Sequence, residues 1–513
     1  MEENAFLLTK IIATLGPATS TVEKISALIK EGVRVFRINF SHGTFEEYEN
    51  LLTIIRKAEK KQNIHIAVLG DLSGPKIRVG KVIDGGIEVK KGQKIKFGKK
   101  DVTAGEKGFE NIFSSTFPAF IDEVKKGERI LLDDGNIEIE CIAREGKGQD
   151  KKLVCKVIDG GLISSAKGIN LPESDLSVPS MTPKDFKCAE FAVKKGFDYL
   201  ALSFVRNGDD VKILKNELIR LGARPKENID TRGDLGFTEE SQGLKNYVPV
   251  ICKIEKPQAI ANLQEIIDET DGIMVARGDL GVEMDIAEVA LLQKKIIHMC
   301  QESGKPVIVA TQMLESMIHS PVPTRAEVSD VANAIFDGAD AVMLSGETAV
   351  GKYPVKTVRM MRRIAAKTNA YIKQTGFDTG KRIKHDALNR TAILAEGVRT
   401  ILNGFDPKFL VIWTNDGGSA VYLSQQRTVI PIIAFNANEK RLRQLSLLYS
   451  IRPMHLKQPK SGSGFIKSID KILIDMKWAS QGDPIVIVSP DPINKQGITN
   501  RIVIHYIGES VDE

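Results

Sequence analysis

Short apolar runs alternate with longer amphipathic segments along most of the 513-residue chain, and this alternation restricts the fold more than any other feature. Runs bounded by Gly, Pro or polar residues fit strands buried on both faces, and segments with apolar residues every three or four positions fit helices packed over them. In order, the strand-like runs are KIIATLG (10–16), VFRINFS (35–41), IAVLGDL (66–72), YLALSFV (199–205), PVICKIE (249–255), GIMVARG (272–278), PVIVATQ (306–312) and AVMLSGE (341–347). Helical patterns such as TFEEYENLLTIIRKAEKK, KPQAIANLQEIIDET and DIAEVALLQKKIIHMCQES lie between most of them. Eight strand–helix units predict an α/β fold, a closed TIM (β/α)8 barrel.

The third and fourth units are more than a hundred residues apart. The gap, 81–178, is β-rich: GIEVKKGQKIKFG, ERILLDDGNIEIECIA and KKLVCKVIDGGLIS alternate in period two and are broken by Gly-rich turns. It predicts a small inserted β-barrel or sandwich placed as a lid over the strand ends. The barrel would then comprise residues 1–80 and 179–373. Residues 374–513, with FLVIWTN, VIPIIAF, PIVIVSP and RIVIHYI, predict a separate C-terminal α/β domain.

Composition excludes several classes. No run approaches the ~18 apolar residues of a membrane span, and the opening MEENAFLLTK has acids where a secretory signal would be basic. A cytoplasmic protein is expected. The five cysteines are odd in number and never spaced as CxxC, against both a disulfide framework and a zinc site. With 72 basic and 66 acidic residues and no basic tail, nothing calls for nucleic acid.

In such a barrel the chemistry belongs at the carboxyl ends of the strands. Those ends carry Arg37, Asn39 and Ser41; Asp71; Lys253 and Glu255; Asp279; Thr311 and Gln312; Ser345 and Glu347. Period-two spacing sets Arg37, Asn39 and Ser41 apart from Phe36, Ile38 and Phe40. A lysine on an otherwise apolar strand is kept only if paired or used, so Lys253 fits either a structural ion pair with Glu255 or a catalytic cation. Glu255 and Asp279 come from consecutive strands and could share one Mg2+; a capped helix start plus a salt bridge would explain the same acids. Arg37, Lys76, Arg78 and Lys253 beside such an ion would suit phosphoryl groups.

There is no GxxxxGK[ST] loop, no HRD or DFG set and no dinucleotide fingerprint placed strand-then-helix. SGSGF (461–465) reads as a helix start rather than a phosphate loop. His42, in NFSHGT, fits a phosphate contact or a turn equally well.

The stretches RINFSHGT, GDLSGPKIRVG, ICKIEKP, GIMVARGDLGVE, VIVATQMLESMI and PTRAEVSDVANAIFDGADAVMLSGETAVGKYPV resemble those of the pyruvate kinase family, in its order and spacing and along nearly the whole chain. The resemblance implies a barrel, a mobile inserted domain after strand three and a C-terminal domain that helps form a homotetramer. It implies transfer of the phosphoryl group of phosphoenolpyruvate to ADP, giving pyruvate and ATP, with Mg2+ or Mn2+ held by Glu255 and Asp279. Lys253 would stabilise phosphoryl and enolate charge and Arg37 would grip phosphate. Ala276, Arg277, Gly278 and Asp279 would receive the substrate carboxylate, with Thr311 completing that pocket. Asn39, Ser41, His42 and Arg78 would face the nucleotide, and Thr311 and Ser345 are where a hydroxyl or water relay could protonate the enolate.

Three departures follow. Where many members have Asp-Thr-Lys-Gly-Pro-Glu and need K+, this chain has Asp71-Leu72-Ser73-Gly74-Pro75-Lys76. Beside the monovalent-cation region Asn39, Ser41, Asp71 and Leu72, Lys76 supplies a fixed cation, and K+-independent activity is expected; a solvated surface lysine is the alternative. Asn207 stands where a lysine often helps bind ATP. The loop Thr414–Ser419 resembles the family's effector-phosphate loop but carries Asp416, which would repel phosphate, so a sugar-phosphate or nucleotide effector site there is silent or altered.

A metal-dependent aldolase or lyase would also place Glu and Asp on Mg2+, but has little use for a lid and added cations. A degenerate scaffold relative would have lost Lys253, Glu255 or Asp279. Finally, TRGDLGF (231–237) nearly repeats ARGDLGVE (276–283). The first lies in a polar segment, 222–247, between helix four and strand five, on the face opposite the chemistry, so Asp234 is expected to be dispensable.

Overall fold

The computed structural model describes residues 6–174, 176–225, 247–380, 383, 389–493 and 499–510. Eight parallel strands close into a barrel in chain order: Lys10–Thr14, Val33–Asn39, Ala67–Asp71, Tyr199–Leu202, Val250–Ile254, Gly272–Ala276, Val307–Ala310 and Ala341–Leu344, the last pairing with the first. All eight expected runs form strands. Each stops before its motif does, so that Ser41, Glu255, Asp279, Thr311 and Ser345 stand just beyond a strand end. The expected alternation of Arg37, Asn39 and Ser41 therefore holds only for the first two; the Ser41 N–H turns back to Asn39 Oδ1 at 3.0 Å.

Period two explains the barrel's contents. Ile12, Val35, Leu69, Ala201, Ile251, Met274, Ile308 and Met343 fill its interior, while the outward faces pack against the helices in a second apolar layer. Two residues further along, the same inward positions on the first five strands become Thr14, Arg37, Asp71, Ser203 and Lys253. A polar floor thus lies directly on the apolar filling. The helices are punctuated locally: Thr44 caps Phe45–Gln62 in a box with Glu47, and the helix ends at Asn63 in the left-handed region.

After Asp71 the chain leaves the barrel and rejoins it at helix Pro183–Lys195. The inserted residues form a six-stranded sheet and a two-stranded ladder around an apolar core that includes Phe97, Phe113, Phe120 and Ile139. The C-terminal domain is a five-stranded sheet ordered Ile451–His455, Ile432–Asn436, Phe409–Trp413, Pro484–Ser489, Arg501–Tyr506, parallel except for the last pair. Ile451–His455 is absent from the sequence reading because Pro453 interrupts its pattern; as an edge strand it tolerates proline.

This domain closes the barrel's amino-terminal mouth. Leu447 packs on the interior filling, and the buried Tyr199 hydroxyl donates to the Gln444 carbonyl at 2.6 Å. Asp340 accepts from Arg427 (2.7 Å) and Gln425 (3.0 Å), and Asp198 from Arg56 (2.7 Å) and Arg443 (3.0 Å). The opposite mouth is left to the lid. Among the described residues no helix is long and apolar enough to cross a membrane.

Candidate functional site

The polar floor is wired together around Asp71. Arg37 donates to Asp71 Oδ2 through Nε (2.7 Å) and Nη2 (2.6 Å), and to Thr14 Oγ1 through Nη1 (3.1 Å). Lys253 Nζ lies 3.6 Å from the same Asp71 oxygen, 2.7 Å from Glu255 Oε1, and donates to Ser203 Oγ at 2.9 Å. The Ser203 hydroxyl donates to the Leu72 carbonyl at 2.7 Å.

Burial and charge oppose each other at Asp71 and Lys253. For Asp71, burial alone would raise the carboxyl pKa; Lys253 and Arg37 outweigh it and hold the group below the ordinary aspartate value. For Lys253, burial pulls down, but Asp71 and Glu255 pull up further, so the ammonium is held above the ordinary lysine value. Glu255 goes the other way. Its burial raises the carboxyl pKa above the usual range, the Asp279 charge adds to that, and Lys253 and the Phe204 N–H, 2.7 Å from Oε2, offset only part.

Asp279 sits in the first turn of helix Arg277–Glu283, directly after strand six. The Gly278 N–H donates to Thr311 Oγ1 at 2.7 Å, and the Thr311 hydroxyl donates to the Ala310 carbonyl at 2.6 Å. Arg277 turns away from the mouth, toward Asp330 (2.7 Å) and the Thr311 carbonyl (2.8 Å). Thr311 and Gln312 both have positive φ, 68° and 55°, a conformation that costs about 1–3 kcal/mol per residue and gathers at functional sites. Ser345 Oγ is out of reach of solvent and meets no hydrogen-bond partner among the described residues.

Lys76 meets Asp134 of the lid at 3.7 Å and Asp279 at 4.0 Å, rather than Asp71. Its charge therefore acts from the Asp279 side of the mouth, whereas Asn39, Ser41, Asp71 and Leu72 group at the ends of strands two and three. Arg78 is held at the base of the lid, donating to the Ala166 carbonyl at 2.9 Å. The His42 residue is exposed, and Tyr48 Oη donates to its carbonyl at 2.7 Å, with the Gly43 and Phe40 carbonyls close by at 3.0 and 3.2 Å. Asn207 caps helix Gly208–Arg220 by accepting from the Asp210 N–H.

Two residues escaped the sequence reading. Ser203 looked neutral inside an apolar run; only its period-two relation to Ala201 marks it as inward. Lys184 sits one residue into a helix that Thr182 and Asp185 box, and its ammonium lies 3.4 Å from the Ser41 carbonyl. With Phe45, Tyr48 and Lys187 it lines a cavity of about 360 Å³ beside His42. A second cleft, about 590 Å³, runs between Asp134 and Glu138 of the lid and Arg277, Gly278 and Gln312 of the barrel.

Glu255 and Asp279 offer oxygen donors only, and among the described residues no group of three or more His, Cys, Asp or Glu is arranged to hold a metal ion by itself. Such a pair fits a hard divalent cation that keeps positions for water and substrate oxygens. Acids interleaved with cations at the lidded mouth of a (β/α)8 barrel are the setting of a phosphotransferase.

Comparison with known proteins narrows this class. The family model for the pyruvate kinase barrel domain matches residues 7–226 and 237–358, and that for the pyruvate kinase alpha/beta domain matches 392–505. The chain is 38% identical over 501 residues to the pyruvate kinase of Mycobacterium tuberculosis and 36% identical over 503 residues to that of Corynebacterium glutamicum, covering 98% of both partners in each case. It is 36% identical over 501 residues to the Geobacillus stearothermophilus pyruvate kinase, covering 98% of this chain and 80% of the relative. The chain belongs to the pyruvate kinase family. The barrel match passes over 227–236, inside the segment containing TRGDLGF; Asp234 lies outside the described residues.

Proposed function

We propose that the chain transfers the phosphoryl group of phosphoenolpyruvate to ADP, giving pyruvate and ATP, at the mouth formed by Arg37, Asp71, Lys253, Glu255 and Asp279. The observation that carries this assignment is the Lys253 ammonium, nearly buried and held protonated between Asp71 and Glu255. Glu255 and Asp279 would hold Mg2+ or Mn2+, which when bound supplies Lewis-acid polarisation and neutralises phosphoryl oxygens. Lys253 then stands as a permanent cation beside the transferred group and, after transfer, beside the enolate oxygen. Arg37, oriented by Asp71 and Thr14, adds a second fixed cation.

The turn Ala276, Arg277, Gly278 and Asp279 receives the substrate carboxylate, with the Thr311 hydroxyl setting the turn's position through Gly278. Of the two candidate hydroxyls in the proton relay, Ser345 Oγ is the one with hydrogen-bonding capacity left open. The nucleotide lies over Asn39, Ser41 and His42, with Arg78 at its phosphate end. The cavity at Lys184, Phe45 and Tyr48 offers the aromatic and cationic surface a base and ribose need. Closure of the lid excludes water from the transfer.

Activity without K+ belongs to the same reading and rests on the Lys76 charge in the sequence; its ammonium stands on the Asp279 side of the mouth, not beside Asn39, Ser41, Asp71 and Leu72 as expected, so it would act there as a fixed charge and not as an occupant of that region. In the C-terminal domain, Asp416 accepts from the Gly418 N–H at 3.1 Å, so a carboxylate already occupies the place an effector phosphate would take; this favours a silent or altered site. SGSGF forms a helix start, with Ser461 as cap. A division into barrel, lid and C-terminal domain near 81, 179 and 374 accords with separate apolar cores, although Ile77 and Val79 already pack in the lid core and helix Pro354–Thr375 runs through 374. A cytoplasmic location accords with five buried, unpaired cysteines, and a homotetramer with exposed apolar residues such as Ile286, Leu291 and Ile504. The test is pyruvate formation measured with phosphoenolpyruvate, ADP and Mg2+, omitting each in turn. Turnover that persists without ADP would contradict phosphoryl transfer.

A further inference from the structure

We propose that Glu283 is a positioning residue that ties the lid's return strand to the two segments bearing Glu255 and Asp279, so that lid orientation sets how those acids are presented. This rests on reading Glu255 and Asp279 as ligands of a divalent ion. Glu283 ends the helix whose first turn carries Asp279, and its side chain is 1% exposed. One carboxylate oxygen, Oε1, accepts from two sides: from Asn170 Nδ2 of the lid at 2.8 Å, and from Nζ of Lys256, the residue after Glu255, at 2.9 Å.

The link continues into the floor of the site. The Lys256 ammonium lies 5.9 Å from the centroid of the Phe204 ring, within cation–π range. Phe204 has φ 56°, and that left-handed turn of the backbone aims its N–H at Glu255 Oε2, 2.7 Å away. Its ring closes on Gly74 in the outgoing lid linker, where a Cβ would approach to 2.7 Å. A continuous path of polar and ring contacts therefore runs from Asn170 through Glu283, Lys256 and Phe204 to Glu255. Among the described residues Glu283 Oε2 and Asn170 Oδ1 have no hydrogen-bond partner, and both residues line a cavity of about 30 Å³ between Ile77, Leu171 and Phe204, room for one water. A buried carboxylate shared between two donors resists losing either, so rotation of the lid about this strand would pull on the carboxylate that also holds Lys256.

The test compares wild type with Asn170→Ala, Glu283→Gln and the double variant. Hydrogen exchange of the metal-free proteins, read by mass spectrometry, is expected to rise in the lid segment containing Asn170 and also in the peptide containing Phe204. The Mg2+ concentration for half-maximal rate is expected to rise three- to tenfold, with kcat changed less, and the double variant to be no worse than the stronger single one. Faster exchange confined to the lid, with half-saturation within twofold of wild type, would overturn the proposal. Glu255→Gln separates the two readings: half-saturation unmoved by that substitution contradicts the ligand assignment, whereas an unaltered Phe204 peptide contradicts the tie itself.

Discussion

Lys253 Nζ and Glu255 Oε1 stand 2.7 Å apart with side chains 12% and 1% exposed, so the lysine that sequence left open between an ion pair and a catalytic cation is in fact paired. The pair alone does not account for its setting, because Asp71 and Ser203 meet the same ammonium. Removing it leaves the buried Glu255 carboxylate without its counter-ion, while Asp71 keeps Arg37. Lys253→Met is expected to destabilise the metal-free protein by about 3–5 kcal/mol, the range for breaking a buried pair from one side. Chemical denaturation checks this; a loss below ~1 kcal/mol would mean that water already screens the site.

Thr311 separates strain from function. Thr311→Gly relieves an unfavourable φ and removes the oxygen that accepts from the Gly278 N–H. The expected outcome is an unchanged or raised melting temperature with kcat/KM for phosphoenolpyruvate lowered by about 10- to 100-fold. Parallel losses of stability and activity would assign Thr311 to the scaffold.

Acid should undock the C-terminal domain. Burial alone would raise the Asp198 carboxyl pKa, but Arg56 and Arg443 hold it below the ordinary aspartate value. A folded-state pKa depressed in this way contributes stability above the unfolded value, about 3.9, and loses it as pH falls through that value toward the folded one. The melting temperature of wild type is expected to fall more steeply between pH 5 and pH 3, on the order of that range, than that of Asp198→Asn, which starts lower. Identical slopes would contradict the role given to Asp198.

Lys76 sets the monovalent-ion prediction. With its ammonium 4.0 Å from Asp279, turnover at constant ionic strength is expected to agree within about twofold between K+ and an inert organic cation. A large K+ activation would sink this reading.

The barrel was legible because strands buried on both faces leave uninterrupted apolar runs, and Lys253, Glu255 and Asp279 were legible because charge at the ends of such runs is conspicuous. What stayed hidden depended on partners far apart in the chain. Ser203 carries no charge to draw attention, Lys184 reaches Ser41 only because the chain returns from the lid there, and Pro453 disguised an edge strand. Glu283, at the end of the motif ARGDLGVE, drew no attention in the sequence. Only the fold shows that Asn170 and Lys256 share its carboxylate.

The most direct test of the account is the rate of pyruvate formation from phosphoenolpyruvate, ADP and Mg2+ by Lys253→Met beside wild type, under conditions where both are folded. The account predicts a fall in kcat of at least about 10²- to 10³-fold, the usual cost of losing one fixed charge at a reacting centre. A variant that folds and turns over at the wild-type rate would contradict it.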